Sequence, residues 1–569
     1  MMESTGHGRP AETSRRSPEW VLVGGMAFSA FLVLWFGRDL SFTEDEVMIL
    51  SRVGSFSPGD LFEPYAGHLV AVPLLAYWLT GVTFGVGSYV PFQVLTLLSI
   101  FLLAWILFLW GKRRVTPWVA LAAAFLILIF PQDIVHYLNG NGFVIVFALA
   151  CGLGSLYAFQ RKDGIGDLAA FALLVTGMLT YTVAVPFALG LMALAVSSRR
   201  WPSLWVGALP LVAYLIWRAA STSSGIRTPV DQPDLANLLL LPAWTFQALG
   251  GYLVALSGGG FGFLDIPLTA APSGYFIASS FAIVFLLAGA YAMTRGRDAT
   301  DLIVIGLITI ALLASQTLIW GTRDEPRPGP VQPRYLYPGA LFVLLLGLEF
   351  VRGIRWDRRS VVAVWAVTLF ALTGSLGFLA NADLRETSAR QVKAEILAIT
   401  LLDSTGAPPP VRAQPRQRTQ AEFDPVDGGR FGYLGFTESE LGGEEPVIRN
   451  EVDRFLAKSF GISLGPVPPG LRPTSCRLAA TGFVTGATQV PLPRDGAILV
   501  SNAPLEPAIG RYGDRAMIEV GKLAPGVPGF LRLRRDEGSL PWFISVAQGQ
   551  GGTLADLTIC RLAGRGSGR

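Results

Sequence analysis

The sequence predicts a polytopic α-helical membrane protein that carries a mainly β domain outside the membrane toward its C-terminal end. Three observations predict it. Hydrophobic residues make up 51% of the 569 and charged residues only 15%, with a mean hydropathy of +0.48, far from the composition of a soluble domain. Uncharged runs long enough to cross the hydrocarbon recur through the first two thirds of the chain. From Asn381 the character changes, as charge rises, prolines cluster in "GAPPPVRAQPRQR" and short β-type segments follow. The net charge is only +4, and no nucleic-acid partner is expected.

Residues 1–19 read as a polar cytoplasmic tail. The run that begins at Trp20 has no small-x-small cleavage site after it, so it is expected to stay as an anchor. Orientation follows from arginine and lysine, because cytoplasmic loops hold the positive excess. Basic pairs or clusters sit at Arg15 and Arg16, at "GKRR" ending at Arg114, at Arg161 and Lys162, at Arg199 and Arg200, at Arg295 and Arg297, and at "RGIRWDRR" ending at Arg359. All of them share one side if spans lie near 20–36, 89–110, 115–130, 143–160, 168–180, 182–197, 203–220, 275–294, 302–320, 335–351 and 361–380. About eleven spans result, in a multi-pass plasma-membrane protein with its N-terminus inside and its C-terminal domain outside. Two further apolar stretches, "HLVAVPLLAYWLTGVTF" from His68 and "LANLLLLPAWTFQALGGYLVAL" from Leu235, would invert the basic loops if both crossed. They are expected to lie on, or dip into, the outer leaflet.

The tail divides into a linker with a helical segment, residues 381–473, and a β-sandwich-like domain, residues 474–569. In the latter "RLAATGFVTGATQVPL", "AILVSN", "AMIEVGKL", "GFLRLRR" and "PWFISVAQG" read as strands. Cys476 and Cys560 bracket it and, on an oxidising side, are expected to join an early strand to the last one; the alternative is two free buried thiols.

Polar residues of interest gather on the outer side. "RDLSFTEDEVMILSRV" places Glu44, Asp45 and Glu46 directly after the first span, and "PQDIVHYLNGNG" and "GTRDEPRPGPVQPRY" fill later outer loops. Within the predicted spans ionisable side chains are nearly absent, Arg218 and Glu349 near helix ends being the exceptions. A coupled transporter usually keeps such groups at mid-membrane depth.

The stretch from "EDEVMILSRV" through "VPLLAYWLTGVTFG" to "GKRR" resembles the opening of the GT-C superfamily of membrane glycosyltransferases, which includes protein O-mannosyltransferases, the lipid A aminoarabinose transferase and actinobacterial mannosyl- and arabinosyltransferases. "QPRYLYPGALFVLLL" is similar to the Arg-Tyr and proline at the outer start of a late span in that superfamily. The resemblance implies a GT-C-like catalytic domain over residues 20–380, a polyprenyl-phosphate sugar as donor and an envelope glycan or glycolipid as acceptor. It matches the outward acidic motif to Asp45 and Glu46. Where some relatives carry a phosphate-holding lysine this chain has Val72, and His68 is the candidate substitute.

The residue chemistry is consistent with that expectation. Sugar transfer from a polyprenyl phosphate needs a base for the acceptor hydroxyl, cations for the leaving phosphate and a groove for the lipid tail. Asp45 can be the base, with Glu46 supporting it or capping the following helix. Arg334 can grip phosphate bidentately, beside Tyr335 and helped by His68, Arg323 or Arg327. Arg334 could equally be an interfacial anchor, and His68 an interfacial histidine bound to a backbone carbonyl. Asp133 and His136 either border the acceptor site or terminate helices. No metal-ligand cluster of convincing spacing is present in the sequence, and no cofactor is expected. The competing function is a transporter or flippase of a lipid-linked sugar; a non-catalytic scaffold for envelope assembly is the third.

Overall fold

The computed structural model describes residues 18–38, 40, 42–54, 57–65, 67–86, 88–223, 235–259, 272–294, 299–320, 332–380, 394, 398, 444, 446–459, 462–480, 490–493, 496–511, 518–533, 541–546 and 556–562. It is a polytopic helical membrane protein with a β region toward its C-terminus. Two compact units result, one formed by Met1–Asp39, Phe56–Thr80 and Tyr89–Asp383, the other by Leu40–Ser55, Gly81–Ser88 and Leu384–Arg569.

The chain begins with α1 (Pro18–Phe36), α2 (Glu44–Gly54), α3 (Ala71–Phe84), α4 (Val90–Gly111) and α5 (Pro117–Leu128). It continues with α6 (Ile134–Leu138), α7 (Gly142–Phe159), α8 (Gly164–Met178), α9 (Val185–Ser197) and α10 (Trp205–Ser223). Then follow α11 (Leu241–Leu256), α12 (Pro272–Thr294), α13 (Thr300–Trp320), α14 (Pro333–Phe350) and α15 (Arg358–Ala380). Proline stands in the first turn of α4, α5, α9, α11 and α14, where its missing N–H has no intrahelical acceptor to lose.

Hydrogen bonds sort the helix ends of the first unit into two sets. At one end, Lys112 pairs with Glu19 at 3.1 Å, and Arg113 donates to Gln160 and lies over Tyr157. Arg114, stacked 3.6 Å from the Trp110 ring centroid, pairs with Glu349 and, at 3.0 Å, with Asp301, which also holds Arg352 at 3.0 Å. Arg200 donates to the Phe159 carbonyl and, with Ser203, to Asp167. Phe350 packs on Gly289 and Trp365 donates to the Trp118 carbonyl. This basic end therefore collects the starts of α1, α5, α8, α10, α13 and α15 and the ends of α4, α7, α9, α12 and α14.

At the opposite, far end neutral bonds join several of the helices. Gln93 donates to Gly37 and Leu138 carbonyls; Thr96 bonds Asn139, Gly140 and the Phe143 N–H; Gln132 donates to Ser375. Eleven helices, α1, α4, α5, α7, α8, α9, α10, α12, α13, α14 and α15, thus alternate between the ends. Among the described residues, eight helices are long and apolar enough to cross a membrane by length and composition. α5 and α9 are shorter than expected, 12 and 13 residues, because the chain turns out of helix at Ile129 and passes through a 3₁₀ turn at Thr182–Ala184, whereas α8 starts earlier than expected, at Gly164, and runs 15 residues.

Leu235–Leu256 is one of the eight by length, yet its contacts lie at one end of the bundle. Asn237 donates to the Leu318 carbonyl near the end of α13. Gly250 abuts Ala278 in the early part of α12, Gly339 abuts the Tyr252 ring near the start of α14, and Gly258, at φ +75°, abuts the Ala371 carbonyl. A Cβ at Gly250 would come within 2.4 Å of the Ala278 carbonyl oxygen, so this close crossing requires glycine. The segment packs in the far half of the bundle.

The second unit holds α2 and the C-terminal elements. α16 (Pro446–Ser459) presents Ile448, Val452 and Leu456, spaced by four, to a buried cluster that also contains Leu499, Leu531 and Ile559. Its strands are β1 (Leu464–Pro466), β2 (Pro473–Ala480), β3 (Val490–Pro491), β4 (Ala497–Ser501), β5 (Pro507–Gly510), β6 (Ile518–Glu519), β7 (Gly529–Leu531), β8 (Phe543–Val546) and β9 (Leu557–Leu562). They form two antiparallel sheets, β1-β7-β4-β9-β2 and β3-β8-β5-β6. Cys476 stands opposite Cys560 in the β2–β9 register, and a disulfide joins them, S–S 2.06 Å. Buried Arg511 pairs with Asp453 of α16 and lies over Trp542.

Candidate functional site

The acidic cluster opens α2, whose first turn favours carboxylates because its N–H groups and dipole point toward them. Glu46 is fully buried, and its Oε2 accepts from the Thr43 N–H at 2.7 Å. That is the backward reach of a capping-box glutamate, three residues past the cap. Asp45, one residue earlier, is exposed.

His68 lies at the far end of the first unit, in a segment closed by reciprocal backbone bonds between Tyr65 and His68. Its Nε2 meets the Tyr181 hydroxyl at 3.1 Å and its Nδ1 the Thr182 hydroxyl at 2.8 Å, with the Tyr181 ring packed at 4.3 Å. Either tautomer satisfies both hydroxyls. Two side chains of α10 fasten the same segment, Trp217 donating to the Phe62 carbonyl and Arg218 to the Gly67 carbonyl, each at 2.7 Å. No carboxylate pairs with Arg218 among the described residues.

Asp133 and His136 come together but are sealed. Asp133 is 0% exposed and His136 4%. Asp133 caps α6 by accepting from the His136 N–H, and its Oδ2 takes the His136 Nδ1 at 2.7 Å and the Tyr337 N–H at 3.3 Å. Tyr337, in turn, donates its hydroxyl to the Ile127 carbonyl. Pro338 cannot donate to the Arg334 carbonyl, so the first turn of α14 is fastened from outside by this carboxylate. Arg334 sits in that turn, exposed, donating to Gln332 at 3.0 Å with its guanidinium 5.7 Å from the Tyr335 ring centroid. Arg323 and Arg327 fall outside the described residues.

Sequence reasoning did not find Tyr181 and Thr182. The signal was there in "TYTV", a polar break between two short apolar halves. Arg218 was visible as a rare charge at a span end, without its partner. Among the described residues no three of His, Cys, Asp or Glu converge as a metal site. The buried charges of the helical unit lie at helix ends: Arg114, Asp167 and Glu349 at the basic end, Asp133 and His136 at the far end.

No protein-family model matches the chain, and no curated protein sequence does. Among solved structures, a crystal structure of ArnT from Cupriavidus metallidurans bound to undecaprenyl phosphate is similar over 73% of this chain and 86% of that one, at 14% identity and a TM-score of 0.43. A likeness at that level assigns neither a ligand nor residue roles to this chain.

Proposed function

We propose that the protein is a membrane glycosyltransferase that moves a sugar from a polyprenyl-phosphate donor to an envelope glycan or glycolipid acceptor at the outer membrane surface, with inversion. The observation that carries this reading is the split between the two carboxylates of the acidic motif. Glu46 is consumed as a cap while Asp45 remains exposed, as a general base must be to reach its substrate. Among the described residues the buried charges of the helical unit lie at helix ends, which supports an enzyme over a flippase, since a charged pathway through the bundle is what transport of a phosphorylated lipid would need.

In the reaction the acceptor oxygen attacks the anomeric carbon as the bond to the donor phosphate breaks. The hydroxyl proton passes to Asp45, and polyprenyl phosphate leaves with the bonding electrons. Attack from the face opposite the phosphate inverts the anomeric centre. Arg334 and Tyr335 hold the phosphate, with Arg218 as a further cation beside His68. His68 reaches a phosphate oxygen only by exchanging one of its two hydroxyl partners. Asp133 and His136 act from beneath, keeping the first turn of α14 in place.

Purified full-length protein supplied with a panel of radiolabelled polyprenyl-phosphate sugars tests the class directly. The expected result is transfer from at least one donor, with little change in Glu46→Gln, whose amide oxygen can still accept from Thr43. Movement of lipid-linked sugar across vesicles without any transfer contradicts the proposal, as does product that retains the donor's anomeric configuration.

A further inference from the structure

Two chain turns at the basic end run against backbone preference. Lys162, in the turn after α7, and Arg199, in the turn after α9, hold φ of +60° and +55°, and among the described residues no other non-glycine residue has a positive φ. The turn after α9 is a Schellman motif, in which the Arg199 N–H donates to the Val196 carbonyl and the Arg200 N–H to that of Ala195. Arg199 thus stands where such a motif ordinarily places glycine, which has no Cβ to crowd the backbone there. The two turns are fastened to each other, since Arg200 donates to the Phe159 carbonyl at 2.9 Å and its guanidinium lies 4.3 Å from the Phe159 ring centroid.

The cations around them are engaged inside the fold: Arg113 donates to Gln160, Arg161 pairs with Asp163 and Arg200 with Asp167. Lys162 and Arg199 are exposed, and among the described residues no side chain bonds to either. The two acids of this region have no oxygen left for them. Asp163 accepts from Arg161 with one oxygen and from the Gly166 N–H with the other; Asp167 divides its two between Arg200 and Ser203. Beside this pair of free cations the surface is apolar. Ile165 and Leu168, three apart on α8, are 70% and 63% exposed, and Trp201 and Trp205, four apart, are 59% and 40% exposed. Their surfaces adjoin, because Ser203 donates to Asp167 and the Trp205 ring packs 5.1 Å from that of Phe171. Tryptophan is enriched at head-group depth, and basic residues there attract anionic head groups. A molecule with an anionic head and a hydrocarbon tail is complementary to both halves of this edge.

We infer that this edge, formed by the starts of α8 and α10, binds an anionic membrane phospholipid, with Lys162 and Arg199 on the head-group phosphate and an acyl chain over Ile165, Leu168 and Trp205. The site does not rest on the transferase reading. In nanodiscs, the full-length protein would be exposed to photoactivatable phosphatidylglycerol or phosphatidylcholine, and the crosslinks mapped to peptides. The anionic probe is expected to label residues 161–168 and 199–205 at least about fivefold more than the zwitterionic one, the worth of one basic residue at an anionic surface. Unlabelled phosphatidylglycerol should compete, and soluble glycerol phosphate should not. Lys162→Gly and Arg199→Gly each remove a cation and relieve the backbone, so each should cut the anionic labelling by about fivefold while unfolding in detergent at a midpoint at or above that of the wild type. A midpoint below wild type in both variants would mean that the two side chains are engaged within the fold, and overturns the inference. Equal labelling by the two lipids, or wild-type labelling in both variants, does so too. Competition by soluble glycerol phosphate assigns the two cations to a free anion and overturns it equally.

Discussion

The two ends of the helical bundle handle charge in opposite ways. At the basic end, arginines meet carboxylates inside the fold: Arg114 with Glu349 and Asp301, Arg352 with Asp301, Arg200 with Asp167. At the far end, among the described residues, hydroxyls, amides and backbone groups make most of the ties, Arg218 donates to a carbonyl, and buried Asp133 holds an imidazole and a backbone N–H. The difference teaches where to look for chemistry. Cations neutralised within the protein are structural, whereas a cation given only dipoles as partners still has charge to offer a phosphate.

The sharpest way to break this comparison is topological. A cysteine at Ser57 should react in intact cells with a membrane-impermeant maleimide, and one at Asp163, in the basic-end turn, should not; labelling at 163 from outside would reverse the two ends. Next in size is Arg114→Ala, which takes the buried cation from Glu349 and Asp301 and leaves them only the half-exposed Arg352. Breaking one side of a buried ion network typically costs about 3–5 kcal/mol, read as a large fall in thermal unfolding midpoint in detergent, whereas Arg218→Ala should leave that midpoint nearly unchanged. Asp133→Ala should be intermediate, about 1–3 kcal/mol for the donors it leaves unmet, and should also weaken donor binding by loosening the turn that carries Arg334. The smallest effect on stability belongs to Arg334→Ala, which should raise the donor KM while the midpoint stays within about 0.5 kcal/mol of wild type. Lysine there should restore binding only in part, because the two-pronged bond to phosphate is lost.

Much of the fold was legible because uncharged run length and basic turns are strong, local signals. The positions of the helices and the alternation of their ends follow from them, whereas Leu235–Leu256, expected outside the count of spans, is by length and composition a candidate to cross. The C-terminal region was legible in part. "AILVSN", "GFLRLRR" and "PWFISVAQG" contain β4, β7 and β8, but β5, "PAIG", and β1, "LGP", show no alternation over so few residues. The amphipathic α16 lay in a stretch that proline and glycine made look like linker. At the site, Asp45 and Glu46 stood out as a cluster, and the three-residue spacing from Thr43 to Glu46 carried the cap. The bonds of His68 to Tyr181 and Thr182 span more than a hundred residues, and no local pattern reports such a pairing.

The central claim is that Asp45 is the base. It is tested most directly by Asp45→Asn in purified full-length protein, measuring donor binding and single-turnover transfer on the same sample. The amide keeps the side chain's shape and removes its basicity, so donor affinity and the unfolding midpoint should stay at wild-type values while transfer falls by about 10²–10⁴. Transfer by the variant at a near-normal rate, with donor bound as tightly as before, would contradict the account.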